Sequence, residues 1–335
     1  MDKIFWGIIG CGDVTELKSG PAFNKIPNSQ LMAVMRRDGQ KAKDYALRHN
    51  IPKWYANADE LINDPDINAI YVATPPQSHA EYAIKAMQAG KPVYVEKPMA
   101  AKYSECLEMN NISTQTKVPL FVAYYRRSLP YFIKIKNVLA AQSIGQPLAI
   151  NIRLYKSAKK NDFNPATLPW RVKPEISGGG YFYDMACHTL DLLDFILGPI
   201  TEVYGAFANR AGLYAVEDSV SAAFKLQNGV PGSGTWCFVA HEDSKTDVVE
   251  ILGTKGRLIY STFEFSPIIL ETSDKREKFL PPNPQHIQQY MIEEIVKELR
   301  GEGKSPSDGI SAARTNHVMD IILDKKTYQE TCFRK

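Results

Sequence analysis

The chain has 335 residues, 44% of them hydrophobic and 23% charged, with a formal net charge of +3. At roughly 100–200 residues per domain that length suggests two domains, and so small a charge, evenly spread, argues against nucleic acid or a membrane surface as partner. No run of about 18 apolar residues marks a spanning helix. The start, MDKIFWGIIG, lacks a signal-peptide pattern, and Cys11, Cys106, Cys187, Cys237 and Cys332 show no zinc-ligand spacing. The expectation is a cytoplasmic protein with free thiols.

The first 120 or so residues alternate between two patterns. Short apolar runs at 4–9, 31–35, 68–73, 92–95 and 119–123 read as strands, and stretches at 38–49, 78–89 and 103–116 read as helices. Alternation of this kind predicts βαβ units and a parallel sheet. After residue 145 the rhythm changes. One helix is predicted at 181–197, then strands at 200–208, 217–226, 233–240, 246–252, 256–261 and 267–272, with Asn228-Gly229 as a hairpin turn, and helices at 285–300 and 308–328. The predicted fold is α/β: a doubly wound Rossmann-type domain over residues 1–123, then an α+β domain over 124–335 with a large, mainly antiparallel open sheet.

Three stretches carry candidate chemistry. Gly10-Cys11-Gly12-Asp13-Val14-Thr15 follows the first strand. Glycines there let the backbone turn tightly and bring a pyrophosphate to the amides of a helix start, although the pair alone also suits a plain turn. At the end of the second strand, where an acid would bind a ribose 2′-hydroxyl, stand Arg36 and Arg37, with Asp38 one residue later. Arginine suits a 2′-phosphate, so NADP is favoured, with NAD possible. Glu96-Lys97-Pro98 follows another buried strand; by itself it reads as a surface lysine in a turn, yet a lysine there can also stabilise charge developing on a substrate oxygen.

The third stretch is GGGYFYDMACHTLDLL, residues 178–193. On a helical wheel His188 lies about 40° and Asp191 about −20° from Asp184, opposite an apolar arc with Leu190 and Leu193. A solvated face, a metal site and a proton-transfer site all fit that stripe. The metal reading lacks a fourth ligand and is set aside. The glycines are expected to let the chain pass close to a substrate. Upstream, Trp170 can stack on a sugar face and Arg171 can bind hydroxyl or carboxylate groups; Tyr155 is a further pocket candidate. His79 opens a helix beside Pro75-Pro76 and is read as structural or cofactor-adjacent.

Taken in order, Gly10-x-Gly12, Thr74-Pro75-Pro76-x-x-His79, Glu96-Lys97-Pro98 and the glycine run into Asp184, His188 and Asp191 resemble the Gfo/Idh/MocA oxidoreductases. The resemblance covers nearly the whole chain. It implies an NAD(P)-dependent dehydrogenase or reductase acting on a sugar, polyol or related compound, with Lys97, Asp184 and His188 catalytic. It places Thr74, Pro75, Glu96 and Lys97 along the nicotinamide, and homodimer or homotetramer contacts on the open sheet. Thr15 stands where a small third residue is usual, and Tyr125 where an asparagine often precedes the arginines. In the implied chemistry His188 exchanges the hydroxyl proton, Lys97 polarises the oxygen, and Asp191 holds the His188 ring. Two other readings are weighed: an enzyme that keeps its nicotinamide bound and uses it transiently, as in oxidation-assisted glycoside cleavage, and a non-catalytic dinucleotide sensor.

Overall fold

The computed structural model describes residues 1–324; Cys332 and the last residues of the helix expected at 308–328 lie outside them. Strands β1 (Ile4–Ile9), β2 (Ser29–Met35), β3 (Lys53–Tyr55), β4 (Ala69–Val72), β5 (Val93–Val95) and β6 (Leu120–Val122) form a parallel sheet in the order β3-β2-β1-β4-β5-β6. Parallel strands covered on both faces must be apolar throughout. So it is here: every residue of β4, β5 and β6 is buried.

The second sheet takes strands β7 (Pro147–Tyr155), β8 (Ile200–Ala208), β9 (Ser219–Leu226), β10 (Pro231–Cys237), β11 (Thr246–Gly253), β12 (Gly256–Tyr260), β13 (Ile268–Thr272) and β14 (Arg276–Phe279). Their order is β14-β13-β12-β11-β7-β10-β9-β8, antiparallel except where β7 meets β10. Among the described residues one face is covered and the other is not, so burial alternates along β9. Val220, Ala222, Phe224 and Leu226 point into the core. Trp236 lies opposite Val220 and packs edge-on against Phe182 of the 181–197 helix, ring centres 5.2 Å apart. The Asn228-Gly229 turn joins β9 to β10, with Gly229 at φ +87°.

The chain divides into two compact units: Met1–Leu129 with Pro284–Ala313, and Pro130–Asn283 with Arg314 onward. This differs from the division expected at residues 123 and 124, because residues 284–313 return to the first unit. The helix Gln289–Arg300 buries Met291, Ile292, Ile295 and Val296 on one stripe. Beyond it, Ser307 Oγ donates to Val122 O at 2.8 Å, and Arg127 Nη1 donates to Pro306 O at 2.7 Å and Ser311 Oγ at 3.0 Å. Arg127 is thereby placed as a fastening of the first unit. Among the described residues Cys11, Cys106, Cys187 and Cys237 are free thiols, and no helix is long and apolar enough to cross a membrane.

Candidate active site

The ends of β1, β2, β4, β5 and β6 are in register: Ile9 lies beside Met35 and Val72, Val72 beside Val95, and Val95 beside Val122. The residues that follow these ends therefore share the carboxyl edge of the sheet, and the strand order reverses between β1 and β4, which is where such sheets bind ligands. Gly10 sits in that gap at φ +93°. A Cβ there would lie 2.6 Å from Thr74 Cγ2 and 2.9 Å from Thr74 N, so only glycine fits. Gly12 is different. Its backbone is extended, and the nearest atom to an added Cβ, Gly10 O, is 3.9 Å away. Among the described residues nothing crowds a Cβ at 12, so the space at this glycine, the N-cap of the Asp13–Leu17 helix whose first amides lack partners within the helix, is open. The residues present thus fit a bound pyrophosphate.

Thr15 is turned inward and fully buried. Its hydroxyl donates to Gly12 O at 2.8 Å and accepts from Gly12 N at 3.0 Å, so it closes the turn. Behind it Tyr45 OH donates to Thr15 O at 2.7 Å. Arg36 and Arg37 are exposed beyond β2, and Arg36 Nη1 reaches Cys11 O at 3.4 Å. The Asp38 carboxylate caps the Gly39–Arg48 helix, accepting from Lys41 N at 3.2 Å. Glu16 ties the two helices together through Arg48, at 2.8 and 2.9 Å, and His49, at 2.7 Å; Arg48 foremost holds its carboxyl at about 2.

At the end of β5 the Lys97–Pro98 peptide is cis. Lys97 is half-buried at the carboxyl edge, whereas Glu96 points into the unit. Glu96 Oε1 accepts from Tyr71 OH and from Gln288 Nε2, both at 2.6 Å, and Oε2 accepts from the Lys97 N–H at 3.2 Å. His79 is wholly buried as well. Its Nε2 lies 2.7 Å from Thr74 O and its Nδ1 3.0 Å from Pro98 O, and burial holds its pKa below the usual value. The side chains of Glu96 and His79, expected along the cofactor, therefore brace the Thr74 and Lys97 turns from inside. The reason is general: polar groups taken out of water must be matched by donors and acceptors, and here those are protein groups.

In the second unit the 181–197 helix has the predicted bounds, with Gly180 as N-cap and Gly198 at φ +103° after its end. Its polar stripe is not a solvated face. His188, Asp191 and Asp194 are all buried, and only Asp184 is partly exposed. The turn at 262–264 covers one side: Phe263 meets His188 edge-on at 5.8 Å, and Thr189 Oγ1 donates to Thr262 Oγ1 at 3.1 Å. That turn is fixed by Asp247, which accepts from the amides of Thr262, Phe263 and Glu264 at 3.0, 2.6 and 2.9 Å. The Gly309–Ile322 helix covers another side, with Arg314 paired to Asp194 at 2.8 and 2.5 Å and the Tyr183 hydroxyl donating to Asp320. Arg171 lies over the Trp170 ring at 4.5 Å and donates from Nε to Asp184 Oδ2 at 2.9 Å. Arg171 thus links two other candidate residues, Trp170 and Asp184.

The glycine run serves packing. Gly178, at φ +77°, ends the Pro174–Ser177 helix. A Cβ on Gly179 would lie 2.6 Å from Tyr183 Cδ2, and one on Gly180 2.8 Å from Val216 Cγ2. The Gly180 N–H donates to Glu217 Oε1 at 3.0 Å. The close approach seen here is to the protein's own side chains. Gly179→Ala is expected to lower stability by about 1–3 kcal/mol through overpacking. Urea unfolding with an unshifted midpoint would count against this account.

Residues 4–124 match the family model described as "Oxidoreductase family, NAD-binding Rossmann fold", and residues 132–259 match the GFO/IDH/MocA C-terminal domain. The chain is 40% identical over 320 residues to "Oxidoreductase P35" of Formosa agariphila, covering 96% of this chain and 98% of that one. The chain belongs to the Gfo/Idh/MocA oxidoreductase family. It is also 26% identical to 1,5-anhydro-D-fructose reductase of Ensifer adhaerens, covering 91% of this chain and 90% of that one. A levoglucosan dehydrogenase solved with NADH and levoglucosan shares the fold at a TM-score of 0.86 and 21% identity, covering 96% and 97% of the two chains.

In this oxidoreductase the structure does not bring Tyr155 to the helix that carries His188. Tyr155 follows buried Leu154 and pairs with Cys237 and Thr246, which puts it on the uncovered face of the sheet. There it lines a shallow groove of about 530 Å³ with Ser219, Ser221, Thr235 and Cys237. The reason is strand alternation: Ile150, Ile152 and Leu154 take the covered face, so Tyr155 cannot. Tyr71, Asp247 and Gln288 are the site-building residues the sequence reading missed. Asp247 had a legible signal, an acid in register with inward-facing Val249 and Ile251. Gln288, ahead of a helix, carried none.

Proposed function

We propose that this oxidoreductase uses NADP to interconvert a hydroxyl and a carbonyl on a sugar, polyol or keto-sugar. The observation that carries the reading is the shared edge of the parallel sheet: the open cradle at Gly12 follows β1, and Lys97 follows β5. Gly10, Gly12 and the Asp13 and Val14 amides would hold the pyrophosphate, and Thr74 and Pro75 would flank the nicotinamide. A bound nicotinamide supplies the hydride acceptor or donor.

The remaining work falls to the protein. In the oxidative direction His188 takes the hydroxyl proton and Lys97 stabilises the negative charge that grows on that oxygen; in reduction the proton returns from His188. Asp184, steadied by Arg171, orients neighbouring hydroxyls, Trp170 packs on the sugar, and Asp191 supports His188. The relatives named as acting on anhydro-sugars support a carbohydrate-like substrate, and free thiols suit a cytoplasmic enzyme. The test is nicotinamide fluorescence on mixing with NADPH, then turnover on a panel with 1,5-anhydro-D-fructose, levoglucosan and keto-sugars. Binding without turnover across the panel indicates a sensor instead. A nicotinamide retained through purification, with no net consumption of added NADP, indicates transient use.

Cofactor choice has its own test. Asp38 is engaged as a helix cap, while Arg36 and Arg37 stand free of the core beside the glycine turn. The double variant Arg36→Ala/Arg37→Ala is expected to lower the kcat/KM ratio of NADP to NAD by about 10-fold or more, the worth of one charged contact. An unchanged ratio would show that the arginines do not read the 2′-phosphate.

A further inference from the structure

We infer that Gln288 is a positioning residue for Lys97: it orients the Glu96 carboxylate, which in turn holds the Lys97 backbone. The inference rests on the role given to Lys97 above. Gln288 is fully buried and comes from the segment that returns to the first unit late in the chain. Its carboxamide has one sense only. Tyr94 OH donates to Oε1 at 2.8 Å, which leaves the NH2 group to donate to Glu96 Oε1 at 2.6 Å. Tyr71 OH donates to the same Glu96 oxygen, and its ring stacks on Tyr94 with centres 4.9 Å apart. The other carboxylate oxygen accepts the Lys97 N–H.

The main chain of Gln288 is tied as firmly. Its N–H donates to Lys18 O at 3.1 Å, one residue past the helix that starts at the glycine turn, and its carbonyl accepts from Ile292 N at 3.0 Å. One residue thus joins the helix behind the cofactor cradle to the turn that presents Lys97. Its effect on chemistry follows from geometry. A buried carboxylate that loses a donor must shift or recruit water, and a shift of Glu96 loosens the hydrogen bond that holds the Lys97 N–H. Displacing a reacting group by about 1 Å can cost on the order of 10²-fold in rate.

The experiment compares Gln288→Leu, Tyr94→Phe and Lys97→Met in the full chain, on the best substrate of the panel. For Gln288→Leu the expected result is a kcat per NADPH-binding site lowered by about 10- to 100-fold, an NADPH Kd from fluorescence within about twofold, and a larger primary isotope effect with deuterated NADPH. A merely structural role would reduce the number of binding sites without changing the isotope effect. Tyr94→Phe removes only the donor that fixes the carboxamide, and a smaller loss of the same kind is expected; it decides the matter if Gln288→Leu does not fold. Lys97→Met separates the two readings. If it is impaired while Gln288→Leu and Tyr94→Phe turn over normally, the positioning role is overturned and the Lys97 assignment stands. If Lys97→Met itself turns over normally, the assignment fails and takes the proposal with it.

Discussion

Replacing His188 with glutamine is expected to lower kcat by about 10²–10⁴-fold, the usual worth of a placed general acid–base group. That corresponds to about 2.7–5.4 kcal/mol of transition-state stabilisation at about 1.36 kcal/mol per decade. Glutamine keeps most of the volume, which matters because His188 is buried with Phe263 against its ring. Alanine would add a cavity and confuse the reading. The 262–264 turn, held by three hydrogen bonds to Asp247, should stay in place in the variant. NADPH binding is expected to survive, because the glycine turn proposed to hold the cofactor belongs to the other unit. The check is kcat across pH: wild-type turnover at the variant's own optimum would remove His188 from the mechanism.

Lys97→Met comes second, with an expected loss of about 10²–10³-fold in kcat/KM. Methionine keeps the length of the stem and removes the charge, so the loss reads the interaction with the reacting oxygen. Lys97→Arg is not expected to restore activity, since a planar guanidinium cannot replace a compact ammonium at one oxygen. Rapid kinetics locates the effect: the hydride step should slow while NADPH association is unchanged. A variant limited by NADPH binding instead would mean that Lys97 serves the cofactor rather than the substrate.

Much of the first unit was legible because its strands are short apolar runs ended by glycine, threonine or charge. Two of the elements that went unpredicted, both strands, have physical reasons. β3 is a half-exposed edge of three residues, and β14, with Arg276, Glu277 and Lys278, is mostly charged. The 181–197 helix was readable to the residue because Gly180 and Gly198 punctuate it. Its surroundings were not. A wheel divides polar from apolar arcs, but it cannot show that the polar arc is also covered, here by the 262–264 turn and by Arg314.

Local patterning by itself pointed to the two kinds of sheet and to the glycine turn after β1, while the order of motifs carried only the resemblance to the family, which the comparisons then showed. Those features depend on neighbours in sequence, on periodicity and on turn residues. Tertiary structure alone decided that Glu96 and His79 face inward, that Gly179 and Gly180 are demanded by Tyr183 and Val216, and that Tyr155 sits on the uncovered face. It alone brought Gln288 to Glu96 across 192 positions of sequence. No local pattern encodes such a contact, because what selects it is the need of a buried carboxylate for a donor, and the fold is free to supply that donor from any part of the chain.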